Sequence, residues 1–189
     1  MALEPRAPSR NSTFMGNFID LAAVLAPADR VRGVLDALGS DAGCHSVLPD
    51  RTLVLYDEAT GDMEPIQSLS RELGTAAFAC HIHDDDLWMY EFYVSGTLID
   101  KFNTIPSYWK PLTPSQEAEW KGNADLLASH WPGLDADSVR RYLQNQGQQD
   151  DIASGTAYPD DEFEYGDCWQ LTDFLRKLGT PYPESPDGE

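Results

Sequence analysis

The most extended pattern of apolar and aromatic positions covers residues 81–103, and it predicts a β-hairpin. Aromatic and β-branched side chains suit a pleated surface, and the pair Ser95-Gly96 interrupts the pattern as a two-residue turn would. With that turn, Glu91 lies directly opposite Asp100. Two carboxylates in that arrangement destabilise a sheet unless something offsets them, so the sequence predicts an acidic pair at these positions.

Shorter periodic patterns on the N-terminal side predict an alternation of strands and helices. Strands are predicted at residues 17–25, 52–56 and 76–82, helices at residues 27–38 and 66–73, and a loop at residues 40–50. This order favours helices that cross over one face of a sheet. We therefore predict an α+β fold in which a mixed β-sheet has a long central hairpin, with the strands at 76–82 and 87–94 at or near its centre. The helices are predicted to pack mainly on one face, with further helices at the C-terminal end.

The C-terminal half is predicted to be mainly helical. Helical spacing covers residues 115–131, with a break near Gly122, and residues 135–144. A last helix is predicted to begin at an Asp167 N-cap, with Gln170 as its capping-box partner, and to end at Gly179. The domain organisation is predicted as a disordered leader at residues 1–13, one domain at residues 14–183 and a disordered tail at residues 184–189.

Composition narrows the possible functions. The chain has 189 residues with 32 Asp and Glu against 13 Lys and Arg, a net charge of −19. Such a charge argues against binding nucleic acid or an anionic membrane, and it is compatible with a basic protein partner. Three widely separated cysteines, Cys44, Cys80 and Cys168, form no disulfide framework and favour a cytoplasmic location, although a single bridge stays open. Composition gives no oligomeric state.

The clearest candidate for chemistry is a group of histidines and aspartates. His81 and His83 would share one face of a strand, and Asp84 and Asp85 follow them. Such a group can hold a divalent metal, with Glu91 or Asp100 as a further ligand. The alternative, which we favour, is that the histidines end a strand and begin a solvated acidic turn, so no cofactor is predicted.

The acidic pair has two interpretations of its own. Glu91 and Asp100 could work as a general acid and base if one carboxyl group were buried with a raised pKa. In the alternative interpretation, which we favour, this face is exposed or nearby basic side chains such as Lys101 neutralise the pair.

A second candidate surface interleaves acids with aromatic residues. It comprises Asp160, Asp161, Glu162, Phe163, Glu164 and Tyr165. Aromatic rings supply contact area and carboxylates steer association, so this segment is a candidate site for a basic partner. The alternative is a loop that Phe163 and Tyr165 anchor to the core.

The run from His83 to Tyr93, continuing to Asn103, together with the run from Tyr158 to Phe163, resembles a family of bacterial proteins that have no assigned activity. The resemblance covers most of residues 14–183 and implies a standalone bacterial domain. It carries over no catalytic residues. Small acidic chains of this kind are also similar in character to toxin-immunity proteins.

Our leading hypothesis is a non-enzymatic cytoplasmic binding protein, in the form of an immunity-type inhibitor of a basic protein. The alternative hypothesis is a metal-dependent enzyme centred on His81, His83 and an aspartate.

Overall fold

The computed structural model describes residues 16–145 and 155–183, so the predicted leader and tail lie outside the described residues. Its centre is a six-stranded sheet with the strand order β2-β3-β1-β4-β5-β6. The strands are β1 (Ile19–Val24), β2 (Gly43–Leu48), β3 (Arg51–Leu55), β4 (Ala76–His83), β5 (Leu87–Val94) and β6 (Thr97–Asn103). The α-helices are α1 (Ala28–Ala37), α2 (Glu64–Leu73), α3 (Pro114–Ala118), α4 (Ala124–His130) and α5 (Gln170–Lys177).

The α+β class is confirmed, and β4 and β5 do lie at or beside the centre of the sheet. The prediction of a mixed sheet is wrong, because neighbouring strands pair antiparallel throughout. The cause is β2, which occupies a segment predicted as loop. This edge strand has few buried side chains, so its apolar signal is weak. Because β2 pairs with β3 as a hairpin, the chain reverses direction once more than predicted, and β3 therefore runs antiparallel to β1.

The hairpin between β5 and β6 is confirmed, and its turn has the conformation that a two-residue hairpin loop favours. Ser95 and Gly96 both have positive φ angles, of 50° and 79°, as in a type I′ turn. The register then shifts between Phe92 and Tyr93, because β6 contains one extra residue, Ile99. This is a β-bulge, and it changes every pairing beyond the first two.

Because of the bulge, the predicted pairing of Glu91 with Asp100 is wrong. Glu91 lies opposite Lys101, not Asp100. Because side chains alternate between faces, the extra residue turns Asp100 toward the other face of the sheet. There its carboxylate accepts hydrogen bonds from Tyr90 Oη at 2.8 Å and from the backbone amide of Asn123 at 2.9 Å. Burial raises the pKa of Asp100, while these hydrogen bonds oppose the shift.

Helices cover both faces of the sheet, which corrects the prediction that they pack mainly on one. One core contains Val31 and Leu35 of α1, Ile66, Leu69 and Leu73 of α2, and Ala22, Val24, Val54, Ala77 and Ala79 of the sheet. The other contains Leu127 of α4, Leu171, Phe174 and Leu175 of α5, and Phe78, Cys80, Trp88, Tyr90, Phe92 and Phe102 of the sheet. A sheet whose inner strands are apolar on both faces needs both layers.

The C-terminal helices differ in detail from the prediction. The break near Gly122 is confirmed, since Gly122 has a φ of 68° and separates α3 from α4. The helix predicted at residues 135–144 is wrong, because the segment forms two short 3₁₀ turns. Asp135 Oδ1 accepts a hydrogen bond from the Asp137 amide, and such local side-chain bonds compete with an α-helix. Asp167 is not the N-cap of α5, although its side chain accepts from the Trp169 amide.

Candidate functional site

Three polar side chains on neighbouring strands form a hydrogen-bonded chain, which we call the relay: Asp20 of β1, His81 of β4 and His83 of β4. Asp20 and His81 are directly paired across the strands, and both are buried. Asp20 Oδ1 is 2.5 Å from His81 Nδ1, and His81 Nε2 is 3.2 Å from His83 Nδ1. The predicted placement of the two histidines on one face is therefore confirmed, and the structure adds a buried carboxylate behind them.

The loop before α2 fixes the carboxylate of Asp20. Its Oδ2 accepts the backbone amides of Thr60 at 2.7 Å and Gly61 at 2.9 Å. Gly61 has a φ of 70°, and a Cβ there would lie 3.7 Å from the His81 ring, so the loop packs closely over that ring. With Oδ2 occupied by two donors, Oδ1 remains to accept from His81.

When both rings are neutral, this arrangement fixes the tautomer of each histidine. Because a carboxylate can only accept, His81 donates from Nδ1, and its Nε2 is then an acceptor. The proton between the rings therefore belongs to His83 Nδ1, and the lone pair of His83 lies on Nε2. Within residues 16–145 and 155–183, His83 Nε2 makes no hydrogen bond, and the ring is only half-buried.

Three aromatic rings surround His83 and form with it the aromatic patch, defined here as Phe18, His83, Tyr108 and Trp109. Their ring centroids lie 4.9 Å, 5.5 Å and 5.1 Å from that of His83, each in an edge-on orientation. Phe18 and Trp109, which contact the same His83 ring, are 44% and 54% exposed, and exposed apolar side chains that are grouped in this way mark interaction sites. The patch therefore presents apolar ring surface to solvent around one histidine.

The acidic turn, Asp84–Asp86, borders the patch and connects β4 to β5. Asp84 and Asp85 have positive φ angles of 55° and 59°, a conformation that aspartate tolerates better than most residues. Asp85 accepts hydrogen bonds from the Asn17 side chain, and Asp86 accepts from Tyr108 Oη at 2.8 Å. All three carboxylate-bearing residues are exposed.

The structure gives no metal centre to the predicted histidine–aspartate group. Among residues 16–145 and 155–183, no three His, Cys, Asp or Glu side chains are arranged to hold a metal ion. The rings of His81 and His83 bond each other and Asp20, whereas Asp85 and Asp86 engage other partners.

The second predicted surface is a folded loop whose acids are mostly engaged by the protein itself. Asp160 forms a 2.6 Å ion pair with Lys177, and exposed Glu162 lies 3.5 Å from Arg176. Asp161 has no exposed side-chain surface, since it accepts hydrogen bonds from Tyr142 Oη at 2.6 Å and the Tyr158 amide at 2.8 Å.

The remaining residues of this surface divide between core and solvent. Tyr165 packs against the core on the α5 face, Phe163 is half-buried and Glu164 is exposed. The buried carboxylate of Asp173 accepts the Glu162 and Phe163 amides, and this holds the loop against α5.

Replacing Asp161 with alanine is expected to lower the free energy of unfolding by about 1–3 kcal/mol, since it leaves buried donors without an acceptor. Urea denaturation followed by tryptophan fluorescence measures the effect. Glu162→Ala is the matched control, because this neighbouring side chain is 71% exposed. Equal stability of the two variants would show that the Asp161 carboxylate does not support the loop.

The cysteines are free and lie apart from the relay. Cys80 and Cys168 are buried in the core on the α5 face, opposite the face that carries His81. Burial raises the pKa of the Cys168 thiol to about 12 and raises that of Cys80 as well. Both therefore remain protonated thiols near neutral pH, which disfavours a role as nucleophiles.

Sequence reasoning missed Asp20, Phe18, Tyr108 and Trp109. Asp20 had a usable signal, because a charged residue at the start of the apolar run Ile19–Val24 has to be paired if it is buried. The aromatic residues gave no such signal, since Phe18 and Trp109 each come next to His83 only through the fold.

Comparison with known proteins adds no relatives. No family model, curated protein or solved structure matches the chain, so the resemblance to a bacterial family stays a prediction. Within the part of the chain that the structure describes, no helix is long and apolar enough to cross a membrane.

Proposed function

We propose that the protein is an acidic binding protein whose aromatic patch and acidic turn meet a basic protein partner. The observation that supports this proposal is the exposure of Phe18 and Trp109 beside three consecutive exposed aspartates. A net charge of −19 favours a partner of opposite charge. Inhibition of a basic protein, as an immunity protein performs it, is a function that this surface would serve.

The aromatic patch and the acidic turn together offer the groups that bind lysine and arginine side chains. Aromatic faces attract cations by about 0.5–2 kcal/mol, and neighbouring carboxylates add charge-assisted hydrogen bonds. Exposed tryptophan is also among the residues that contribute most to interface stability. A surface depression of about 290 Å³ is lined by Trp109 together with Lys110, Glu119 and Trp120, and it could accept a partner side chain.

This placement differs from the surface that the sequence suggested. The acids of the loop at 158–167 have basic neighbours within the chain, Arg176 and Lys177. Carboxylates that are already paired steer a partner less effectively. The acidic turn has aromatic neighbours instead, and its carboxylates accept hydrogen bonds from the neutral side chains of Asn17 and Tyr108. We therefore propose the turn, and not the loop, as the centre of the interface.

The test begins with an affinity pull-down from the native host at low and high salt, followed by kinetic measurement with the purified partner. Replacing Asp84, Asp85 and Asp86 by asparagine is expected to slow association several-fold and to weaken its salt dependence. Asparagine also tolerates the left-handed backbone of this turn, so the fold is kept. Trp109→Ala is expected to speed dissociation by about tenfold or more, as loss of a buried anchor does.

The matched control is Glu162→Gln with Glu164→Gln, which removes exposed acids from the loop at 158–167. We expect this variant to bind like the wild type, apart from a small change due to net charge. If it slows association while the turn variant does not, the interface lies at the loop. If neither the turn variant nor Trp109→Ala changes the kinetics, the proposal is wrong.

A further inference from the structure

The relay has the geometry that activates a nucleophile. Such sites share a nucleophile and a base within hydrogen-bond reach, with the base oriented by a third group. Here His81 is the base, Asp20 is the orienting group, and His83 occupies the nucleophile position, joined by contacts of 2.5 Å and 3.2 Å. Burial of Asp20 and His81 excludes water from the first contact, which strengthens it.

We propose that the relay makes His83 Nε2 a nucleophile toward uncharged or cationic acyl donors, so the site can carry out acyl transfer. The lone pair lies on Nε2 because His83 donates its Nδ1 proton to His81. Positive charge that develops on His83 during attack is shared with His81 and offset by the carboxylate of Asp20. The exposed acidic turn beside His83 disfavours anionic donors, so a neutral ester is the suitable substrate class.

The Nε2 lone pair of His83 attacks the carbonyl carbon of the ester, a C–N bond forms, and the C–O bond to the leaving alkoxide or phenoxide breaks. The Nδ1 proton of His83 moves toward His81 Nε2, while His81 Nδ1–H stays bonded to Asp20. Water then attacks the acyl-imidazole and the carboxylic acid is released. The proton on His81 Nε2 returns to His83 Nδ1, which restores both rings, and the second proton of the water neutralises the departed alkoxide or phenoxide.

Site-resolved modification with diethyl pyrocarbonate tests the nucleophile directly. The reagent carbethoxylates unprotonated imidazole, and peptide mass spectrometry gives the rate at each histidine. His45 and His130 are exposed, so they are internal references within the same molecule. We expect half-buried His83 to react about tenfold faster than either reference, which is below the roughly 10²–10⁴-fold that a positioned base contributes, because partial burial slows access of the reagent. Reaction of His83 at or below the reference rates in the wild-type protein would overturn the proposal, whatever the variants do.

Asp20→Asn separates activation from structure. The asparagine oxygen can accept the Thr60 and Gly61 amides, and its NH₂ group would then donate to His81 Nδ1. His81 would donate from Nε2 to His83, which leaves the His83 proton on Nε2 and removes the nucleophilic lone pair. We expect the His83 rate to fall to that of His45, while circular dichroism and the His45 rate stay unchanged. An unchanged His83 rate in a folded variant would contradict the role of Asp20 as a positioning residue.

Turnover is tested with p-nitrophenyl acetate, an uncharged ester. We expect the wild-type protein to release p-nitrophenolate about tenfold faster than His83→Gln. His45→Gln, which alters an exposed histidine, is the control and should behave like the wild type. Equal rates for wild type and His83→Gln would reject acyl transfer at this site. Neither assay uses a protein partner, so failure here leaves the proposed binding function intact.

Discussion

Replacing Phe174 with alanine is expected to destabilise the folded protein by about 3–5 kcal/mol, the usual range for a fully buried aromatic residue. Phe174 is 0% exposed and packs α5 against the sheet. Its ring stacks on Tyr90 at a centroid distance of 5.6 Å with an interplanar angle of 3°, and it also contacts Trp88 at 5.4 Å and Phe78 at 5.7 Å. Truncation opens a cavity among rings that cannot all move inward.

Urea denaturation measures this loss of unfolding free energy, and two further variants serve as comparisons. Phe174→Leu keeps most of the apolar volume and should lose clearly less stability than the alanine variant. Phe18→Ala removes the same side chain from the surface, where it is 44% exposed, and should change stability little. A similar loss for Phe18→Ala and Phe174→Ala would mean that the α5 face of the sheet is not the main core.

The parts of the fold that sequence predicted well have a strong local signal. The strands at 76–82 and 87–94 are apolar on almost every residue, because they are covered on both faces. The Ser95-Gly96 turn follows from the backbone preference of its two residues. β2 was not predicted from the sequence because it is a half-exposed edge strand, and that single omission also produced the wrong strand directions.

The bulge at Ile99 shows a limit of pattern reasoning. Strict alternation from the turn places Glu91 opposite Asp100, yet the alternation itself gives no sign of an extra residue. The conflict of two facing carboxylates was the available hint, since a bulge is one way to relieve it. The observed register places Glu91 opposite Lys101 and lets Asp100 accept a hydrogen bond from Tyr90.

The candidate site divides in the same way. The sequence alone predicts that His81 and His83 share a face, because residues two positions apart in a strand point to the same side of the sheet. Their partner Asp20 is 61 positions away from His81, and only the strand pairing brings them together. The aromatic patch depends on the positions of Phe18 and Trp109 in segments outside the strands, which no periodicity specifies.

The buried end of the relay gives the last prediction. Replacing Asp20 with alanine is expected to lower the free energy of unfolding by about 2–4 kcal/mol, since each buried donor left unsatisfied costs about 1–3 kcal/mol. Three donors lose their acceptor: His81 Nδ1 and the amides of Thr60 and Gly61. Thr60 and Gly61 are exposed, so water can replace part of the loss at the two amides, whereas the buried ring of His81 has no such access.

Asp20→Asn is the matched control, because asparagine has nearly the same volume and keeps an oxygen acceptor for the two amides. We expect it to be more stable than Asp20→Ala by about 1 kcal/mol or more, since His81 can reverse its tautomer to accept from the asparagine NH₂ group. Urea denaturation of both variants gives the difference, and hydrogen exchange at the Thr60 and Gly61 amides locates it. Faster exchange at those amides in the alanine variant alone is the expected pattern. If alanine and asparagine destabilise the protein equally, the Asp20 carboxylate does not hold this loop over His81 through hydrogen bonds, and burial of the side chain alone accounts for its contribution.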